Sequence, residues 1–265
     1  MSEYRYIELE QADGCVTLWL NRPERHNALN AALISELHHA IDEAASRVAV
    51  RAVVLAGRGA SFCAGGDLEW MRANAAAPIE QNLQDARQLG FMLRTLANCP
   101  KPTIARVHGA ALGGGLGLAA ACDLVIASAN AQFGATETRL GLAPSSIAPY
   151  ISAAIGERAA RAWFLLGERL TASTVQRLGL VHEVVDPEAL DVALQRLLAT
   201  LRLGAPQAQQ HSKWLMAELR TLPPHSLEQL EECARSLASV RAGAEAREGI
   251  EAFFAHRKPA WATQE

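Results

Sequence analysis

Two stretches of small residues stand where the backbone alone could do chemistry. Val53-Val54-Leu55 leads through Ser61-Phe62-Cys63-Ala64-Gly65-Gly66-Asp67, and Thr103-Ile104-Ala105 leads through Gly109-Ala110-Ala111-Leu112-Gly113-Gly114-Gly115. Each reads as an apolar strand followed by glycines at the start of a helix. The first N–H groups of a helix have no intrahelical partner and attract negative charge, and glycine lets a ligand approach the backbone closely. Side by side in a parallel sheet, two such turns can aim their N–H groups at one oxygen and stabilise the enolate of a thioester. The plainer alternative, that the glycines only make turns and admit close helix packing, is favoured by spacing alone. No Gly-Lys-Ser/Thr follows either run, so a phosphate-binding loop does not fit. Gly115-Leu116-Gly117-Leu118-Ala119-Ala120 matches G-x-G-x-x-A, with Glu137 twenty residues beyond Gly117. The acid of a dinucleotide site should end the next strand, whereas the strand expected at Asp123–Ala127 stops ten residues before Glu137. A nicotinamide site is therefore disfavoured.

The elements that must position these residues are read from periodicity. Cys15–Leu20 alternates as a strand, and Ala31–Ala45 has helical spacing with Leu33, Leu37, Ile41 and Ala44 on one face. Arg51–Ala56, Pro102–Val107, Asp123–Ala127 and Val181–Val185 read as further strands. A helix is expected to begin near Asp67, a small-residue helix after Gly113–Gly115, and another over Ser145–Leu166. Beyond about Pro187 the texture changes to three amphipathic segments without a strand candidate, split at Gly204-Ala205-Pro206 and Pro223-Pro224, the last running from about Ser226 to Ala255. This predicts a core domain over residues 1–200 and a helical lobe over 201–265.

With 265 residues, half of them hydrophobic, the chain can bury a sizeable core. A net charge of −3 argues against a broad grip on nucleic acid. No apolar run reaches the roughly 18–20 residues of a membrane span, and the N-terminus carries no segment resembling a signal peptide. The five cysteines form no metal-ligand or CxxC pattern and suit reduced thiols in the cytoplasm. Cys63 and Cys122, near the glycine turns, read as small core-filling residues.

Asn21-Arg22-Pro23-Glu24-Arg25-His26-Asn27-Ala28-Leu29, Phe62-Cys63-Ala64-Gly65-Gly66-Asp67-Leu68, His108–Gly115, Ala121-Cys122-Asp123, and Phe133-Gly134 with Glu137 together resemble the crotonase (enoyl-CoA hydratase/isomerase) superfamily, in order and spacing, over about residues 5–260. The resemblance implies an α/β fold, a spiral of ββα units with a helical C-terminal trimerisation lobe, and homotrimers often paired into hexamers. It implies an acyl-CoA thioester as substrate, with coenzyme A as part of that substrate and neither a separate cofactor nor a metal. Gly66 and Gly114 fall at the oxyanion-hole amides and Glu137 at the main acid/base. Ala64, Asp67 and Leu68 fall in the substrate-binding wall, the last two toward the adenine of CoA. Arg25 and the tail His256-Arg257-Lys258 are candidate contacts to CoA phosphates, with solvated surface charge an equal alternative.

One departure matters. A straight-chain enoyl-CoA hydratase carries two glutamates, and the first should stand where this chain has Gly117. Members with a single glutamate at the second position include double-bond isomerases and hydratases of branched, carboxylated substrates. The segment Thr138–Tyr150, with Asp67–Met71, most resembles the 3-methylglutaconyl-CoA hydratase branch, which includes isohexenylglutaconyl-CoA hydratases of acyclic terpene breakdown. The resemblance thus implies hydration of a branched, acid-bearing enoyl-CoA, with Gly117 leaving room for a branched Cβ. A Δ3,Δ2-enoyl-CoA isomerase is the alternative; a degenerate CoA- or RNA-binding member is disfavoured by the charge balance and by Glu137. Arg139 could hold a substrate carboxylate through its planar fork, face solvent, or pair with Glu137. Ser145 and Ser146 read as helix caps, Asp123 as a structural bridge, and His26 and His108 as loop or packing residues.

Overall fold

The apolar runs pair into two sheets that climb the chain together. The computed structural model describes residues 4–262. Strands β1 (Ile7–Ala12) and β2 (Cys15–Leu20) form a hairpin whose Asp13-Gly14 turn has φ of +48° and +72°, as a two-residue Asp-Gly turn requires. Helix α1 (Ala31–Ser46) leads to β3 (Ala52–Gly57); α2 (Leu68–Ala75) and α3 (Ile79–Ala97) lead to β4 (Thr103–Val107). Then come β5 (Ala110–Leu112), α4 (Gly114–Ala121), β6 (Leu124–Ser128) and β7 (Gln132–Gly134), followed by α5 (Ala148–Ile155), α6 (Glu157–Leu166), β8 (Arg169–Thr171), α7 (Ala172–Leu178) and β9 (Glu183–Val185). The larger sheet has the order β1-β2-β3-β4-β6-β9 and is parallel except for the first pair; the smaller is β5-β7-β8, with β5 and β7 parallel. Each turn of the spiral gives one strand to each sheet: β4 then β5, β6 then β7.

Residue type explains the layering. Every residue of β3 is buried, as expected of a central parallel strand covered on both faces. In β2, Val16, Leu18 and Leu20 point into the core while Thr17 and Trp19 are half-exposed. The predicted face of α1, Leu33, Leu37, Ile41 and Ala44, is wholly buried, and Asn30 caps the helix by accepting from the Leu33 N–H at 2.9 Å. Asp123 accepts from the Thr103 N–H and hydroxyl at 2.7 and 2.9 Å, tying β4 to β6 as a structural bridge. Cys63 is fully buried, and that burial pushes its thiol up to about 12; Cys122 packs against the core.

The chain forms two compact units, the first running to Cys99 and over Thr103–Gln195, the second comprising Pro100–Pro102 and residues from Arg196 onward. After Val185 no strand follows among the described residues; the helices are α8 (Leu190–Arg202), α9 (Pro206–Leu219), α10 (Leu227–Ala242) and α11 (Ala244–Phe254). The long segment expected from Ser226 to Ala255 is therefore two helices, interrupted by the extended backbone of Gly243. Likewise Ser145–Leu166 is not one helix: it starts only at Ala148 and breaks at Gly156, where φ is +80°. Among the described residues no helix is long and apolar enough to cross a membrane.

Candidate active site

Because β3 and β4 are parallel neighbours, with Val53 opposite Thr103 and Leu55 opposite Ala105, the chain leaves both strands on the same side of the sheet. Backbone bonds then stitch the two turns together: Phe62 N–H to His108 O at 2.9 Å, Cys63 N–H to Ala110 O at 2.9 Å, and Leu112 N–H to Cys63 O at 3.0 Å. Gly65 and Gly113 have φ of +97° and +48°, and a Cβ on Gly65 would stand 2.9 Å from the Leu112 carbonyl oxygen. Only glycine takes such conformations without strain at so close a contact. The next residues, Gly66 and Gly114, lie at the entry to α2 and at its counterpart, the first turn of α4. Neither N–H has a hydrogen-bond acceptor among the described residues. Both belong to the wall of a cavity of about 640 Å³.

The facing side chain is Glu137. It opens a short 3-10 turn, Glu137–Leu140, three residues after β7 ends. The Gly113 N–H donates to Gly134 O at 2.8 Å and so pins β7 to the second glycine turn. Glu137 Oε1 lies 3.3 Å from where a Cβ on Gly113 would be, which sets the carboxyl against that turn. Its Oε2 is buried with no hydrogen-bond partner. Burial raises the Glu137 carboxyl above the ordinary carboxylate range, opposed in part by its own backbone N–H. The rest of the wall includes Leu29, Trp70, Met71, Leu112 and Ile147. An apolar cavity with two free amides and one desolvated carboxyl can hold a carbonyl oxygen that gains charge while a proton moves nearby.

The profile of the enoyl-CoA hydratase/isomerase family matches residues 10–264. The chain belongs to the enoyl-CoA hydratase/isomerase family. It is similar to the crystal structure of an enoyl-CoA hydratase from Shewanella pealeana, 35% identical, covering 98% of this chain and 97% of that one with a TM-score of 0.94. It is similar also to the structure of Pseudomonas aeruginosa AtuE, 38% identical, covering 98% and 100%, with a TM-score of 0.93. The 1,2-epoxyphenylacetyl-CoA isomerase of Escherichia coli is 34% identical over 98% of each chain. The fold is that of crotonase-type enzymes, and the family acts on acyl-CoA thioesters.

Within this family site, Ala64, Gly66, Asp67, Leu68, Arg25, Gly114 and Glu137 all line the cavity. Asp67 lines it with a side chain already committed elsewhere. Its carboxylate accepts from the Glu69 and Trp70 N–H groups at 3.0 and 3.3 Å, capping α2, and pairs with Arg22 at 3.0 Å. Burial raises its carboxyl, but Arg22 and the two amides outweigh that and hold it below the ordinary range. Arg25 is exposed and lies 3.5 Å from Glu69. Lys258 is in the second unit and not in the cavity wall, and its neighbour Arg257 is held by Glu248 through bonds of 2.6 and 2.9 Å.

Three expectations are corrected. Gly117 is buried and does not reach the cavity: a Cβ there would stand 2.2 Å from Ile147 Cγ2. Ile147, not open space, fills the position beside Gly117, so the glycine accommodates a core side chain rather than a substrate branch. Arg139 is exposed, rests against Gly167 and is absent from the wall; the second arginine of the wall is Arg169. Ser145 and Ser146 are not caps, since α5 begins after Ile147 without a side-chain cap; both line the cavity instead. His26 also lines it, with Nδ1 3.1 Å from the Ser61 hydroxyl, while His108 bonds Gly59 O through Nε2 at 2.8 Å.

Proposed function

We propose that the protein is a hydratase of a branched, carboxylated enoyl-CoA, of the isohexenylglutaconyl-CoA or 3-methylglutaconyl-CoA type. The observation that carries this reading is the carboxyl of Glu137, one oxygen buried and without a partner, in a cavity whose wall also holds the unpaired Gly66 and Gly114 N–H groups. The thioester oxygen sits on the Gly66 and Gly114 N–H groups. Glu137 takes a proton from water as the hydroxide adds to Cβ, and the π electrons pass to an enolate held by the two amides. The enolate then collapses as Glu137 returns that proton to Cα, so one water is added in all. A carboxyl pKa raised by burial suits a group that must both accept and release a proton. With Ile147 packed on Gly117 there is no second carboxylate at that place, and the acyl chain's own acid, with water ordered by it, supplies orientation.

The same residues suit a Δ3,Δ2-enoyl-CoA isomerase, which moves one proton from C2 to C4 or back and adds no water. The Escherichia coli relative named an isomerase gives that reading its support. Turnover in ¹⁸O-water separates the two, because hydration places label in the product and isomerisation does not. A panel of crotonyl-CoA, 3-methylglutaconyl-CoA and isohexenylglutaconyl-CoA should show efficient labelled turnover only for the branched acids. Equal or better hydration of crotonyl-CoA would overturn the substrate reading.

We further propose trimers or their multiples. On α10 and α11, Leu227, Leu230, Leu237, Phe253 and Phe254 are 57–76% exposed, an apolar area suited to a neighbouring copy.

A further inference from the structure

We propose that Arg169 is the specificity residue that grips the free carboxylate of the acyl chain, a role that rests on the acid-bearing substrate reading above. Arg169 opens β8 and lies directly opposite Gly134 in the antiparallel pairing of β7 with β8. Directly opposed residues put their side chains on the same face. That face is open because residue 134 has no side chain: a Cβ there would be 3.4 Å from Arg169 Cγ and 3.1 Å from Thr136 Cγ2. The arginine stem therefore crosses β7 next to Thr136, which, like Arg169, belongs to the cavity wall. Gly134 is also the residue whose carbonyl accepts from Gly113, the turn against which Glu137 rests. One strand pairing thus sets Arg169 beside the strand whose Gly134 holds the turn against which Glu137 rests.

Arg169 has the chemistry for the task. It is exposed and has no hydrogen-bonded or ion-paired partner among the described residues. Arg22, Arg58, Arg106 and Arg257 are instead bonded to Asp67, Glu8, Asp191 and Glu248. The only other arginine of the wall, Arg25, is beside Glu69. An uncommitted planar fork favours a carboxylate, which it can hold through two parallel bonds. Glu137, the nearby acid, does not occupy it, since no ion pair joins the two and Glu137 Oε2 has no partner. A carboxylate several bonds beyond the thioester is the anionic group that the acyl end of such a substrate would present.

The test uses two saturated thioesters that cannot be hydrated, 3-methylglutaryl-CoA and 3-methylvaleryl-CoA, which differ in having a carboxylate or a methyl at the chain end. Their Kd values for the full-length protein, measured by calorimetry, give a ratio free of any turnover. Wild type should bind the acid roughly two- to fivefold more tightly, the size expected of an ion pair at an exposed site. The preference should shrink with added salt. R169Q should bring the ratio to about one, R169K should keep part of it, and R139Q should match wild type. A wild-type preference that survives R169Q overturns the assignment, as does a wild type with no preference. If R169Q abolishes the preference but no labelled hydration product forms, the Arg169 assignment stands and the hydratase reading falls.

Discussion

The two walls of the cavity are built by different means. One consists of the turns around Gly65-Gly66 and Gly113-Gly114, where backbone amides face the site and strand pairing fixes their place. The other consists of Glu137, Ser145, Ser146, Ile147 and Arg169, side chains brought in by a short 3-10 turn, a loop and a three-residue strand. In the proposed reaction the backbone wall holds the developing oxyanion. In the same proposal the side-chain wall supplies the proton transfer and the choice of acyl chain.

Substitutions in each wall should separate these roles. The largest effect is expected for E137Q. It keeps the shape of the side chain but cannot transfer the proton, so kcat should fall by roughly 10²–10⁴ while saturated acyl-CoA still binds. A kcat within threefold of wild type would remove Glu137 from the chemistry. G114P comes next. It deletes one amide donor at the first helical residue, where proline is best tolerated in a helix. Loss of an oxyanion donor should lower kcat by about 10²–10³, with the helical circular dichroism retained.

G117A tests the join between the walls. The new methyl meets Ile147, so stability should fall by roughly 1–3 kcal/mol. In an I147A background the further cost of G117A should largely vanish, because the two sites share one volume; additive losses would show that Ile147 is not the obstacle. The smallest effect is thermal. Because burial raises the folded-state pKa of Glu137, the protonated carboxyl is the form the fold favours. Its stabilisation is complete below the unfolded pKa and lost as pH rises through the folded one. E137Q should therefore melt slightly above wild type at neutral pH, with the gap closing in acid. A gap that widens in acid would contradict the burial argument.

The backbone wall was legible in the sequence because its cause is local. An apolar run, glycines and then helix-forming residues appear in that order twice, and both strand–turn–helix joints formed where the pattern puts them. The side-chain wall was less legible. Strands β5, β7 and β8 have three residues each, too few to show a period. The choice of Arg169 over Arg139 depends on the pairing of Gly134 with a residue 35 positions later. Asp67 reads as a ligand contact because its partner Arg22 is 45 residues away. Gly117 reads as open space because nothing local announces Ile147. A signal was present for β1, since Asp13-Gly14 between alternating segments is a hairpin mark, and Gly156 and Gly243 were visible points of interruption in the long helical segments.

The central claim is that two backbone amides and one carboxyl converge on the thioester, and a crystal structure of E137Q with a bound acyl-CoA tests it most directly. The account predicts the thioester oxygen at about 2.7–3.1 Å from both the Gly66 and the Gly114 nitrogen, with the residue 137 amide beside Cα and Cβ. A thioester whose oxygen points away from either nitrogen would contradict it.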